Sequence, residues 1–248
     1  MQVISFRTLL LNYIKRHPVT SALLFANLFM FIFVLFNGGY PSNQIELASS
    51  LTRNGALVPI LVDQGEYWRI LTAMFLHAGF FHFFMNTFFL YYIGRFMERL
   101  LGSIKFGILY FASGIGSGLL VWWLSNENTA TIGASGALYG IMAGLFLLTY
   151  IRASWFHPSA IRSIRFMVMI NLFITFVSMI GNGPISVWGH AGGFAVGLLI
   201  IYFLTPQDPP NTKHIYRQQA HPESHHGRTI IDADSVTDDD IYDNHYTN

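Results

Sequence analysis

Apolar residues gather along this chain in six long runs, at 19–36, 70–94, 106–124, 132–151, 166–180 and 185–204, separated by shorter polar stretches. A helix needs about 20 apolar residues to cross the hydrocarbon core of a bilayer, so each run predicts a membrane-spanning helix. The fifth run is short, and the second is longer than one crossing needs. The surplus places the start of the second span near His77–Gly79, with the residues before it in a loop at the membrane edge. The last two runs lie in one uncharged block, Phe166 to Gln207, split by "GNGP" at 181–184. A long connection, 37–68, follows the first run, and its apolar patch "ALVPILV" is expected to lie in the membrane interface.

The charges orient these spans. With six crossings and both termini on one side, that side holds Arg7, Lys15, Arg16, Arg95, Arg99, Lys105, Arg152, Arg162, Arg165, Lys213, Arg217 and Arg228. The opposite side holds only Arg53 and Arg69. Cationic loops stay cytoplasmic, so both termini are expected inside. The chain then divides into a basic leader (1–18), a membrane domain (19–204) and a tail (205–248). Eight of the thirteen acidic residues fall in the tail, among Pro, Gln and His. That composition predicts a solvated, disordered segment.

Composition adds two exclusions. Of 248 residues, 52% are hydrophobic and 11% charged, against about a quarter charged in soluble domains. The chain is therefore an integral membrane protein. A net charge of +1 gives no electrostatic case for nucleic acid, and without cysteine there is no thiol nucleophile or thiolate metal site.

Polar groups inside spans are costly and mark function or interhelical bonding. They are His77, His82, Asn86, Glu98, Ser135, Asn171 and His190, with Asn27 in the first span as a candidate bond to a neighbouring helix. Gly136, Gly140 and Gly144 recur every four residues in the fourth run, and Gly189, Gly193 and Gly197 do so in the sixth. Such stripes let two membrane helices approach closely. Ser135 and His190 flank the stripes at matching depth, so packing along the glycines brings hydroxyl to imidazole. That pair is the minimal activated nucleophile. Taken singly, Ser135 would do no more than bond its own helix, and His190 would suit packing or gating.

His82 and Asn86, four residues apart, share one helix face. Two donors aimed at one point suit a developing oxyanion, although interhelical bonding would explain them too. A zinc site built from His77, His82 and His190 is the weaker rival: the first two lie about 140° apart round a helix, and no carboxylate or thiolate completes the set. With no acid near His190, Tyr139 is placed to stack on the imidazole. Glu98, among Arg95, Arg99 and Lys105, reads as a structural ion-pairing residue.

These motifs resemble those of the rhomboid family of intramembrane serine proteases, over roughly residues 19–204. "GASG" (133–136) matches the family's serine motif and "GHAGGFAVG" (189–197) its histidine motif, with Gly189 where alanine is usual. "HAGFFHFFMN" matches H-x4-H-x3-N, "YWR" (67–69) the tryptophan–arginine pair of the first outer loop, and "GRFMERLLG" (94–102) a structural G-x3-E-x3-G stretch. The resemblance implies an all-α, six-span bundle in a bacterial plasma membrane. Ser135 is the implied nucleophile and His190 the base; His82, Asn86 and the Ser135 amide are the implied oxyanion donors. Gly133, Tyr139, Gly136, Gly193 and Gly197 support the site, while His77, Trp68, Arg69 and Glu98 are structural. No cofactor or metal is implied, and the expected partners are transmembrane substrates and lipid. An inactive relative that escorts membrane proteins is the alternative, and a small transporter with a histidine proton path the more distant one. For substrate entry, the fifth span and the 181–184 loop are the candidate gate.

Overall fold

Short polar breaks between apolar runs leave the backbone few options in a bilayer, where every N–H and C=O must be satisfied within the protein. The computed structural model describes residues 5–181 and 185–206, and these are helical apart from connections and one isolated bridge pair, Leu57 with Thr131. The acidic tail from 207 onward and residues 182–184 of the "GNGP" loop lie outside the described residues, and with them the expected disorder and the loop's part in a gate.

In chain order the helices are α1 (Phe6–Arg16), α2 (Pro18–Phe36), α3 (Gln44–Arg53), α4 (Pro59–Asp63), α5 (Arg69–Thr72), α6 (Phe80–Phe89), α7 (Arg95–Leu101), α8 (Ser103–Leu124), α9 (Ser135–Ile151), α10 (Pro158–Ile180) and α11 (Val187–Leu204). Four of these, α2, α8, α10 and α11, are long and apolar enough to cross a membrane. α6 and α7 join through a π-helical turn at Leu90–Gly94, and Phe80–Leu101 is long and apolar enough for a further crossing when taken together with Arg69–Phe75. The two segments meet at 93°, so the surplus of the second run is turned aside before His77, as its length predicted. The shorter α9 is 17 residues of apolar helix.

The fifth run's helix differs from its expected extent. α10 has 23 residues, because Pro158 at its first turn and the His157 ring, which accepts from the Ser159 amide, start it eight residues before the apolar run. Arg162 and Arg165 end the apolar stretch without ending the helix.

Three helices form the centre. α9, α11 and α8 meet along small residues, and the packing is so close that a Cβ on Gly193 would land on the Gly136 carbonyl and one on Gly197 on the Gly140 carbonyl. The third partner has its own small face: Ser113 and Ser117 of α8 fill the space above Gly140 and Gly136, and Gly116 of α8 faces Gly192. "SGIGSG" (113–118) carried that signal in the sequence.

The "GRFMERLLG" stretch acts on α2. The N-cap of α2, His17, makes no side-chain cap bond. Instead both Glu98 carboxylate oxygens accept from α2's first free amides, Val19 N at 2.9 Å and Thr20 N at 2.8 Å. An anion at the positive end of a helix is doubly favoured there. Glu98 is therefore a cap supplied by a neighbouring helix. Glu98→Ala is expected to lower stability by about 2 kcal/mol, read as an earlier thermal transition in detergent, with Glu98→Gln intermediate.

The long loop 37–68 folds onto the bundle. Ala56, Leu57, Val58 and Val62 are buried, Leu57 and Val62 clustering with Ala73 and Val121. The "ALVPILV" patch thus packs largely on protein where the interface was expected. Arg69, itself buried, ties the loop down: it donates to the Thr52 carbonyl at 2.7 Å, the Ala56 carbonyl at 2.9 Å and the Glu66 carboxylate at 2.6 Å. Its guanidinium also lies 4.5 Å from the Trp68 ring centre. Asn27, by contrast, donates to Leu23 in its own helix.

Candidate active site

Ser135 is the first residue of α9. Its seventeen residues, at 1.5 Å each, make a helix of about 26 Å, a little shorter than the hydrocarbon core of about 30 Å. The chain reaches Ser135 through an extended segment held by the first loop. Leu57 and Thr131 exchange both backbone bonds, at 3.0 and 2.8 Å, and the Ile60 amide donates to Glu127 at 2.9 Å. Gly133 then donates to the Ala73 carbonyl at 2.8 Å. Its φ of +115° is a conformation that favours glycine, and a Cβ there would meet the His82 ring at 2.9 Å.

The glycine stripes bring together what the sequence separates by 55 residues. The Ser135 hydroxyl lies 3.0 Å from His190 Nε2, with His190 buried and Ser135 half-buried. Ser186 caps α11 at the same end, accepting from the Gly189 amide. The Tyr139 ring stacks on the imidazole, centroids 3.8 Å apart and planes 15° apart.

Two residues of α10 complete this cluster, and sequence reasoning reached only one of them. Asn171 was among the polar candidates; its side chain bonds its own helix at Met167, and its carbonyl accepts from the Tyr139 hydroxyl at 2.9 Å. Thr175 was missed. Its hydroxyl lies 3.0 Å from His190 Nδ1 and 2.6 Å from the Tyr139 hydroxyl. The available signal was its spacing four residues after Asn171, which puts both on one face of α10.

His82 and Asn86 face the same open cavity of about 1090 Å³ as Ser135, Tyr139 and His190. The Ala78 amide donates to His82 Nδ1 at 3.3 Å, which leaves the proton of the neutral ring on Nε2. That nitrogen is the one beside Gly133. The Asn86 amide nitrogen donates to the His82 carbonyl at 2.9 Å, so one of its two hydrogens is used within α6. His77, fully buried, packs its ring 5.1 Å from that of His82 and 5.6 Å from that of Phe83, propping His82 from behind.

Chemically, the arrangement sets a hydroxyl against an imidazole nitrogen, with donors gathered beside them: the His82 Nε2–H and the first amides of α9, which have no intrahelical acceptor. Fold and site together define a multi-pass helical membrane protein with a recessed serine–imidazole pair. The Rhomboid domain family matches residues 64–207, more than half of the chain, and the chain belongs to that family. It is 37% identical over 168 residues to RHOMBOID-like protein 1 of Arabidopsis thaliana, covering 64% of this chain and 41% of that protein. Rhomboid-like protease 1 of Toxoplasma gondii is 36% identical over 162 residues, covering 62% and 54%. The Rhomboid protease GluP of Bacillus subtilis is 33% identical over 169 residues, covering 68% and 31%. The matched region spans about half or less of the length of these relatives.

Proposed function

We propose that this protein is an intramembrane serine endopeptidase that cuts peptide bonds in or next to transmembrane segments of other membrane proteins, with Ser135 as nucleophile and His190 as its base. The observation that carries the reading is the 3.0 Å contact between the Ser135 hydroxyl and His190 Nε2, and two of the relatives are named as proteases.

Ser135 Oγ attacks the scissile carbonyl while its proton passes to His190 Nε2. The carbonyl oxygen becomes the oxyanion and is held by His82 Nε2–H, the Ser135 amide and the second hydrogen of the Asn86 amide. His190 returns the proton to the amine as the C–N bond breaks, leaving an acyl-enzyme. Water, deprotonated by His190, attacks the ester, and the serine departs with its proton restored. Gly133 keeps the approach clear, because any side chain there would fill the space between His82 and Ser135. Six crossings with both termini on the cytoplasmic side put the dyad near the outer surface, where water reaches it from outside and a substrate helix from lipid. A peptide bond within a helix is shielded by its own hydrogen bonds, so such substrates unwind locally before cleavage.

A fluorophosphonate tests the reading directly. The Ser135 oxygen displaces fluoride from phosphorus, and the full-length protein in detergent micelles becomes covalently labelled. Labelling is expected for the intact protein and lost in Ser135→Ala and His190→Ala. A folded protein that takes no label would overturn this reading. For the oxyanion donors, His82→Ala is expected to cut turnover by about 10²–10³-fold while thermal stability changes little. A turnover within twofold of the parent would remove His82 from this role.

A further inference from the structure

We infer that Thr175 is the positioning residue for the His190 imidazole, taking the place that a carboxylate fills in familiar serine hydrolases; the inference rests on the Ser135–His190 reading. The hydrogens along this cluster can be assigned from one end. The Asn171 carbonyl can only accept, so the Tyr139 hydroxyl, 2.9 Å away, donates to it. Tyr139 has one hydrogen. The 2.6 Å contact between the two hydroxyls is therefore made by Thr175 donating to Tyr139. With its hydrogen spent, the Thr175 oxygen offers His190 Nδ1 a lone pair across 3.0 Å, and Nδ1 must carry the proton. In the neutral ring Nε2 is then bare and accepts from Ser135.

A backbone carbonyl of α10 thus selects the one tautomer in which His190 can act as a base. Each hydroxyl in the relay donates once and accepts once, and each bond polarises the next. The same acceptor remains on Nδ1 when the ring gains its second proton. Stacking on Tyr139 fixes the plane of the ring but is indifferent to a half-turn flip about Cβ–Cγ, which would exchange Nδ1 with Cδ2; the bond to Thr175 selects the orientation with Nδ1 toward α10. The site is well suited to this work, since Thr175 is buried beneath the imidazole with no charged group among its described contacts.

Thr175→Val keeps the shape and deletes the hydroxyl, while Thr175→Ser keeps the hydroxyl. The full-length proteins, in detergent micelles, are reacted with a fluorescent fluorophosphonate, and the maximal labelling rate is separated from the probe concentration giving half that rate. In Thr175→Val the maximal rate is expected to fall about tenfold, with the half-saturating concentration and the melting temperature near those of the parent. Thr175→Ser is expected to recover to within about threefold. Parental labelling by Thr175→Val, with Ser135→Ala unlabelled, would overturn this inference and leave the dyad standing. A Thr175→Ser protein as slow as Thr175→Val would also overturn it, since the hydroxyl would then not be what matters. Undiminished labelling of Ser135→Ala would bring down the dyad reading itself.

Discussion

Ser135→Ala and His190→Ala are each expected to lower the cleavage rate of a transmembrane substrate by on the order of 10⁶-fold, with the double variant no worse than either single one. Groups that act as a unit behave this way: once one is gone the other has nothing to do. The geometry shows why no neighbour substitutes. His190 faces Ser135 through Nε2 and Thr175 through Nδ1, so both ring nitrogens are committed. Folding should survive, because Ser135 stands at the first position of α9 and alanine fits a helix well. The measurement is substrate cleavage in reconstituted liposomes beside thermal melting of each variant. Rates that multiply in the double variant would show two independent contributions in place of one dyad.

Gly193→Val is expected to have the largest effect on stability, on the order of 3 kcal/mol or more, which is the upper end for overpacking a core. The conflict is with backbone: a Cβ at 193 would land on the Gly136 carbonyl one turn below the site. A flexible side chain could swing away, but a helix carbonyl moves only if the two helices separate. Separation of α9 from α11 would also open the contact between Ser135 and His190. Activity and melting temperature should fall together, unlike in Ser135→Ala, where activity alone is lost. An intact melting temperature in Gly193→Val would mean that the two helices tolerate a wider spacing than this packing allows. Gly65 offers the control for glycine replacement as such, since a Cβ there meets nothing within 4 Å, although its φ of +99° leaves some backbone strain.

Much of the site was legible as periodicity. The four-residue glycine repeats predicted that α9 and α11 meet, and the position of Ser135 and His190 beside those repeats predicted that they meet at one end. Tyr139, one turn from Ser135, was placed on the imidazole by the same spacing. What lay outside this reasoning came from other helices. Thr175 approaches from α10, and nothing local to residue 175 says which neighbour its hydroxyl finds. The small face of α8 keeps the same four-residue spacing, Ser113 with Ser117, but its stripe is built of serine as well as glycine and so does not stand out as a glycine repeat. The carboxylate of Glu98 caps α2, 78 residues away, a partner that the cations nearest it in sequence give no sign of. The reach of the α10 helix past Arg162 escaped a reading based on apolarity alone, since charge marks where lipid ends and not where hydrogen bonding does.

The sequence by itself determined that this is a helical membrane protein and which two helices pack closely enough to bring the Ser135 hydroxyl to the His190 imidazole. Those are consequences of hydropathy and of 3.6-residue periodicity, both readable within one segment. Only the tertiary structure decided what holds His190 in place, what caps α2 and how the first loop pins the strand-like approach to Ser135. Each of these is a hydrogen bond between distant segments, and its partner is chosen by where whole helices come to rest.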